Sequence, residues 1–342
     1  MATIKDVARR ARVSTATVSY VLNGTGTITA ETRQRVLAAV EELNYQPNHA
    51  ARSLRTRSRT LGLVLPHDAP GLSDPALAEL VAGITEAAAE GGYYLLLAAS
   101  ATQPEHELGE TLARTGRVEG LLLLGLRVED ERAAHLRAAG VPCVAAGSPG
   151  AGAPCPALGF DLARGAADAA RHLLALGHTR LGMIALPSDL ADSEPFYQGF
   201  AAALADAGLE ADPALVVEAG TTQEDGVAAM QELLARPEPP TAVLAASDDL
   251  AFGAMHALRD AGLTVGRDLS LVGCGDLPLA AHTHPPLTTL RAPRRALGAA
   301  LARALVAELA RGPATRGEQR PGPDLASLPL QLIVRRSTAP PP

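Results

Sequence analysis

From residue 60 onward the chain alternates short apolar runs with amphipathic stretches. The apolar runs at 61–65, 93–98, 120–124 and 141–146 read as buried strands, and those at 181–186, 215–218, 242–246 and 270–273 repeat the pattern. Stretches of 3.6-residue periodicity separate them. They lie at 75–90, 105–114 and 129–139, then at 162–176, 196–207, 224–235 and 250–261, and read as helices. Such alternation predicts parallel sheets covered on both faces. Two series in succession predict two α/β lobes, with a ligand cleft at the C-terminal ends of their strands. The stretch 312–324, rich in Gly, Pro and charge, reads as an exposed loop.

The first 46 residues carry a different pattern, three short helices and no strand. Thr3 and Asp6 form a capping box that starts a helix at Ile4, with Ile4, Val7, Ala8 and Ala11 on one stripe. Arg12-Val13 is a break. Ser14 caps a second helix to about Asn23, with Val18, Val21 and Leu22 inward and Thr15, Ala16 and Tyr20 on another face. Ile28 and Thr29 staple and cap a third helix over about 30–43, with Val36, Leu37, Val40 and Leu43 inward. This is the pattern of a helix-turn-helix, in which the start of the second helix meets base edges in the major groove. Pro47 then breaks the third helix. Asn48 can cap a further segment of two turns, too short to hold its helix alone in water.

Charge agrees. Residues 1–60 hold ten Lys/Arg against four Asp/Glu, a balance of +6; the whole chain is −7, so the remainder carries −13. Phosphate affinity is concentrated in the first sixth of an otherwise acidic chain. Cys143, Cys155 and Cys274 are few and odd in number, which points to free thiols in a reduced cytoplasm. No apolar run approaches transmembrane length and no signal peptide is expected, so no membrane partner is expected either. No cofactor is called for. Cys274, His282 and His284 lack C-x-x-C or H-x-x-x-H spacing, so no metal site is expected.

Several segments together resemble the lac-repressor/gal-repressor (LacI/GalR) family of bacterial transcription regulators. They are Thr3-Ile4-Lys5-Asp6-Val7-Ala8, the Val13-Ser14, Thr17-Val18-Ser19 and Val21-Leu22-Asn23 pieces, Thr32 to Val36, Leu43-Asn44-Tyr45 with Pro47-Asn48, and Ala51-Arg52-Ser53-Leu54. Weaker matches continue at Arg117 to Gly120, Gly177-His178, Gly199-Phe200, Ser247-Asp248, Val272-Gly273, Pro286 to Thr289 and Arg335 to Thr338.

The resemblance implies an all-α helix-turn-helix headpiece joined to an α/β two-lobed sensor of the type I periplasmic-binding-protein-like fold with parallel sheets. It implies a DNA-binding domain at 1–46, a hinge at 47–58 and an effector-binding and dimerisation domain at 59–342. In the last, the N-lobe would be about 59–160 and 291–324, and the C-lobe about 161–290 and 325–340. It implies that Thr15, Ala16 and Tyr20 read an operator half-site, joined at the DNA by Thr3, Ser14, Thr17, Ser19, Asn23, Thr32 and Asn48. Ala51, Arg52, Ser53, Leu54 and Arg55 match the hinge helix, with Leu54 as a minor-groove wedge or as plain core packing.

In the cleft the family's usual anchors are missing. Phe196 stands where an arginine is common, Gly147 where an aspartate is common, and Cys274-Gly275-Asp276 replaces an aromatic and two polar residues. The remaining effector candidates are Ser73, Asp74, Asp161, Phe196, Asp248 and Asp276, since carboxylates suit sugar hydroxyls. Phe196 reads as an aromatic platform or as core, and Asp248 as a ligand group or a helix cap; His178 reads as a structural turn residue. The implied partners are double-stranded operator DNA, a sugar or related small metabolite, and a second copy of the chain. The alternatives are a regulator of this fold switched by another metabolite, a protein or redox, and, from another class, a transport protein or enzyme on the same lobes.

Overall fold

The computed structural model describes residues 4–23, 28–43, 58–65, 73–99, 104–148, 155–311 and 327–342. The chain divides into two compact units, Met1–Ser58 and Arg59–Pro342.

The first unit holds α1 (Ile4–Ala11), α2 (Thr15–Asn23) and α3 (Ala30–Glu42). Val7, Ala8 and Ala11 meet Val18 and Val21 of α2 and Val36 and Ala39 of α3 in one small core. Val40 and Leu43 close its edge, but Leu37, expected inward, is 49% exposed. The core-facing stripe runs through Val36, Ala39 and Val40, and the next position after Val36 is turned about 100° away along a helix. Arg12 ends α1 in the left-handed region with φ +56°. Its N–H donates to Arg9 O and the Val13 N–H to Ala8 O, the doubled bond pattern that closes a helix C-terminus. Arg10 Nε and Nη2 donate to Glu42 Oε1 at 3.0 and 2.9 Å, tying α1 to α3.

The second unit opens with β1 (Thr60–Val64), α4 (Pro75–Glu90), β2 (Tyr94–Ala98), α5 (Glu105–Arg114), β3 (Gly120–Leu123), α6 (Arg132–Ala138), β4 (Cys143–Ala146) and β5 (Ala157–Leu158). These strands form a parallel sheet in the order β2-β1-β3-β4-β5. A second series follows: α7 (Leu162–Ala175), β6 (Leu181–Ala185), α8 (Ser193–Asp206), β7 (Val216–Glu218), α9 (Gln223–Leu234), β8 (Ala242–Ala245), α10 (Asp248–Asp260), β9 (Ser270–Gly275) and β10 (Thr288–Arg291). Its sheet has the order β11-β10-β9-β8-β6-β7, and only the last-added strand, β11 (Gln331–Ile333), runs antiparallel to its neighbour. Helix α11 (Arg294–Arg311) returns to the first sheet, where Leu297, Leu301 and Leu305 join the core of Leu61, Leu63 and Ile84.

The helices approach one another at glycines. A Cβ on Gly83 of α4 would stand 2.0 Å from Arg295 O, and one on Gly298 of α11 would stand 2.1 Å from Leu80 O. The second lobe repeats the device between α9 and α10, where a Cβ on Gly226 would stand 2.3 Å from Leu250 O and one on Gly253 would stand 1.9 Å from Gln223 O.

The helix expected at 129–139 begins later, at Arg132. Asp130 is withheld because its carboxylate turns back onto Arg132 Nε at 2.9 Å and the Arg127 N–H at 3.2 Å. His178 is buried where the C-terminal tail crosses the sheet. Its Nε2 lies 2.8 Å from Ala339 O and its Nδ1 2.9 Å from Thr241 Oγ1. It is a structural residue.

Candidate nucleic-acid interface and ligand cleft

In the first unit the start of α2 is a built surface. Ser14 Oγ accepts from the Thr17 N–H at 3.1 Å and lies 2.9 Å from Thr17 Oγ1, so both hydroxyls serve the cap. Val18 and Val21 point into the core, which turns Thr15, Ala16 and Tyr20 outward; all three are exposed, Tyr20 by 49%. Thr17 and Ser19 are half-buried at the edge of this face. At α3, Thr29 Oγ1 accepts from the Thr32 N–H at 3.3 Å and donates to Thr32 Oγ1 at 2.9 Å. Lys5, Arg12, Arg33 and Arg35 are exposed on the same unit. Two capped helix starts with these cations offer N–H dipoles and positive charge to phosphates. Thr3, Asn48, Ala51, Arg52, Ser53, Leu54 and Arg55 lie outside the described residues, as does the side chain of Asn23.

In the second unit the C-terminal strand ends of the two lobes meet. The segment after β3 pairs with the segment after β6: the Val128 N–H donates to Asp189 O and the Ala191 N–H to Leu126 O, each at 2.9 Å, and Arg127 pairs with Asp189. Arg132, with 15% of its side chain exposed, holds the first of these segments from behind. It donates to Leu124 O and Gly125 O at 3.0 and 2.8 Å and pairs with Asp130 and Glu105. After β4, the Ser148 N–H donates to Asp192 Oδ1 at 2.8 Å. Asp192 occupies the N-cap position of α8 yet makes no capping bond there. Its carboxylate serves the opposite lobe instead.

The C-lobe wall is built on a buried carboxylate. Asp248 begins α10 and is 1% exposed. Its Oδ1 accepts from Thr289 Oγ1 at 2.5 Å and its Oδ2 from the Leu277 N–H at 2.6 Å. Burial pushes its pKa up, against these two bonds and the nearby Arg294. The helix cap is Ser247, whose Oγ accepts from the Leu250 N–H; Asp248 is therefore not the cap. A Cβ on Gly275 would sit 3.2 Å from Asp248 Oδ2 and 2.8 Å from Arg294 Nη2, and its φ of +142° suits glycine alone. Arg294 Nη1 donates to Gly275 O at 2.6 Å. The thiol of the preceding Cys274 is pushed up to about 12 by burial and the nearby Asp248 charge, against Arg294.

Two effector candidates are corrected. Phe196 is 2% exposed within the core formed with Phe200, Leu162 and Leu173, so it offers no face as a platform. Asp276 gives Oδ2 to Arg291 and Oδ1 to Arg335, both at 2.6 Å, so its carboxylate is consumed in structure. Asp74 and Asp161 cap α4 and α7 through single bonds to the Ala76 and Arg164 N–H groups. Ser73 is exposed just before that first cap. Sequence reasoning missed Asp192, Ser148 and Arg294. The only local sign was an aspartate ahead of Ser193-Glu194-Pro195, a cap-like string whose cap is not made.

Among the described residues no group of His, Cys, Asp and Glu could hold a metal ion, and no helix is long and apolar enough to cross a membrane.

The pattern of the lacI family of bacterial regulatory proteins matches residues 3–48, and that of the periplasmic binding protein-like domain matches residues 170–338. The HTH-type transcriptional regulator AglR of Rhizobium meliloti (strain 1021) is 39% identical over 344 residues, covering 99% of this chain and 95% of its own. A solved complex of the transcriptional regulator CelR with cellobiose superposes with a TM-score of 0.74 at 35% identity, covering 98% of this chain and 100% of that one. A lac repressor dimer bound to operator and the anti-inducer ONPF superposes with a TM-score of 0.83 at 28% identity over 99% of both chains. The helix-turn-helix and the pair of α/β lobes are thus those of a known architecture, and this chain belongs to the lacI family of bacterial transcription regulators.

Proposed function

We propose that this chain is a cytoplasmic repressor that binds a palindromic operator as a homodimer, and that a small carbohydrate between its lobes sets its affinity for DNA. The observation that carries this reading is the joining of strand ends across the lobes by Asp192 and Ser148 in a chain that also presents Thr15, Ala16 and Tyr20 outward. A molecule entering between the lobes competes with that bond or is enclosed by it. Either way it acquires different affinities for two lobe arrangements, which is what shifts an equilibrium.

Residues 1–46 would be the DNA-binding domain, 47–58 the hinge with Leu54 as wedge, and 59–342 the sensor. At the DNA, the Thr15 hydroxyl can bond a base or phosphate, the Ala16 methyl can meet a thymine methyl, and Tyr20 sets half-site preference. Ser14, Thr17, Ser19 and Thr32 place the helix starts against phosphates.

In the cleft, Asp192 and Arg294 are the leading polar anchors. Asp74 and Asp161 each keep a carboxylate oxygen beyond the capping one, and Ser73 adds a hydroxyl. Asp248 acts from behind by shaping the Gly275 wall. CelR, a relative in the solved structures, was captured with cellobiose, which makes a glucose-containing disaccharide the first probe. The dimer face we assign is the β2 end of the first sheet, where Tyr94 is 69% exposed beside a groove of about 420 Å³ lined by Val81, Thr85, Tyr93 and Leu97.

Thermal unfolding of the full chain across a sugar and nucleoside panel tests the effector. Stabilisation by at least one sugar is expected, and a flat response to every compound contradicts it.

A further inference from the structure

The thiols of Cys143 and Cys155 form a pair that the DNA- and ligand-binding readings do not use. β4 and β5 run parallel with Ala145 opposite Ala157 and Ala146 opposite Leu158. The Ala145 N–H donates to Pro156 O at 2.9 Å, so the alignment extends back before β5. Two residues earlier on each chain segment stand Cys143 and Cys155. Side chains two apart share a face, and both cysteines pack into the same apolar cluster with Val141 and Leu136. Neighbouring parallel strands lie about 4.8 Å apart, inside the Cα separation of about 4.4–6.8 Å that a disulfide spans.

We propose that Cys143 and Cys155 are a peroxide-oxidisable dithiol that closes to an intrachain disulfide at the β4–β5 edge. The division of labour follows from exposure and charge. Cys143 is 5% exposed, whereas Cys155 is half-buried. The hydrogen bond from Cys143 holds the Cys155 thiol below its ordinary range, helped by the Arg132 and Arg137 guanidiniums and opposed by burial and Asp130. That same bond raises Cys143, with burial and Glu308 adding to it. Cys155 is therefore the thiolate that attacks.

Its sulfur takes one oxygen from a hydroperoxide, the O–O bond breaks, and hydroxide or alkoxide leaves. Cys143 then attacks the resulting sulfenic acid, the S–O bond breaks, and water leaves as the S–S bond forms. In sum, two thiols and one hydrogen peroxide give one disulfide and two waters. The bond would tie two strands whose exits matter. β4 runs on to Gly147 and Ser148, and β5 runs into the lobe crossing at Phe160 and Asp161, whose N–H donates to Leu328 O at 2.8 Å.

The test uses the full chain, treated with hydrogen peroxide, then denatured, alkylated and digested with trypsin. Arg137 and Arg164 bound one tryptic peptide that holds both thiols. The expected product is that peptide lighter by two hydrogens, unalkylated, and restored by dithiothreitol, with Cys274 remaining alkylatable. Cys143→Ser should trap a sulfenic acid on Cys155 that a dimedone probe captures, and Cys155→Ser should leave Cys143 reduced. Three outcomes overturn the proposal: both thiols alkylated after peroxide, overoxidation of Cys155 to sulfinic acid without closure, or a linked dimer of two such peptides. The wild-type map alone decides among these should a serine at the buried position 143 impair folding.

Discussion

Asp192 accepts a hydrogen bond from the Ser148 N–H at 2.8 Å and so joins the two lobes from a cap position it leaves unused. Although no cap is lost, the bond lies within the folded, unliganded second unit, so Asp192→Ala should lower unfolding stability by about 1.5 kcal/mol in denaturant unfolding. The same substitution removes a charge-assisted bond of about 1.5 kcal/mol or more across the lobes. A ligand enclosed by the lobes should then bind about tenfold more weakly in calorimetry. A variant that binds the ligand as wild type does removes Asp192 from the switch.

The reciprocal glycines of α4 and α11 leave no room for a methyl group. Gly298→Ala brings a Cβ to 2.1 Å from Leu80 O, and the obstacle is backbone, not a movable side chain. The helices must separate, at about 1–3 kcal/mol. Denaturant unfolding of the full chain should show that loss; an unchanged midpoint contradicts the close crossing.

His178 sets an acid limit. Burial holds its imidazole below the ordinary histidine range, and Nε2–H donates to Ala339 O while Nδ1 accepts from Thr241. With the folded value depressed, the unfolded chain takes up the proton first as pH falls below about 6.5. Stability is therefore full above that pH and is lost as pH falls toward the native value. His178→Gln should lose about 1–3 kcal/mol at pH 8 through its broken bonds, and should lose less than wild type between pH 6.5 and 5. His172, also depressed by burial and then by His178, leaves a residual slope.

Asp248 has the opposite sign. Its raised folded value means that the native state holds the proton more tightly than the unfolded chain does. That favours folding at low pH and works against it as pH climbs past the ordinary carboxylate range of about 4. Asp248→Asn should therefore gain stability relative to wild type as pH rises from 4 to 7. A constant difference across that range refutes the buried-charge assignment.

The α/β alternation was readable because the central strands β1, β3, β4, β6, β8 and β9 bury both faces and the helices one. Local features of the first unit were readable for the same reason: the face carrying Thr15, Ala16 and Tyr20 belongs to one helix. What escaped depends on distance in sequence. The partners Ser148 and Asp192 are 44 residues apart, and Asp276 and Arg335 are 59 apart. Strand β5 is two residues long and follows a Gly- and Pro-rich stretch, with no period to read. Helix α11 was not anticipated because alanines on its other faces blur the stripe of Leu297, Leu301 and Leu305. Phe196 was ambiguous until its helix, which starts at Ser193, turned it into the core.

The exposed face of α2 should carry sequence choice. Tyr20→Ala leaves the core of Val18 and Val21 intact, so the first unit should stay folded. Discrimination between operator and random duplex should fall by about 1–3 kcal/mol, with little change in salt dependence. Equal loss on both duplexes would assign Tyr20 to phosphate contact instead.

Ligand and DNA binding should be coupled in this chain. Fluorescence anisotropy of the full chain on a palindromic duplex from the DNA flanking its gene, titrated with cellobiose and then a wider sugar panel, measures that coupling. Preferential binding to the palindrome over random duplex is expected, weakened about 5- to 150-fold by at least one sugar. Equal affinity for both duplexes, or tight binding that no sugar changes, contradicts it.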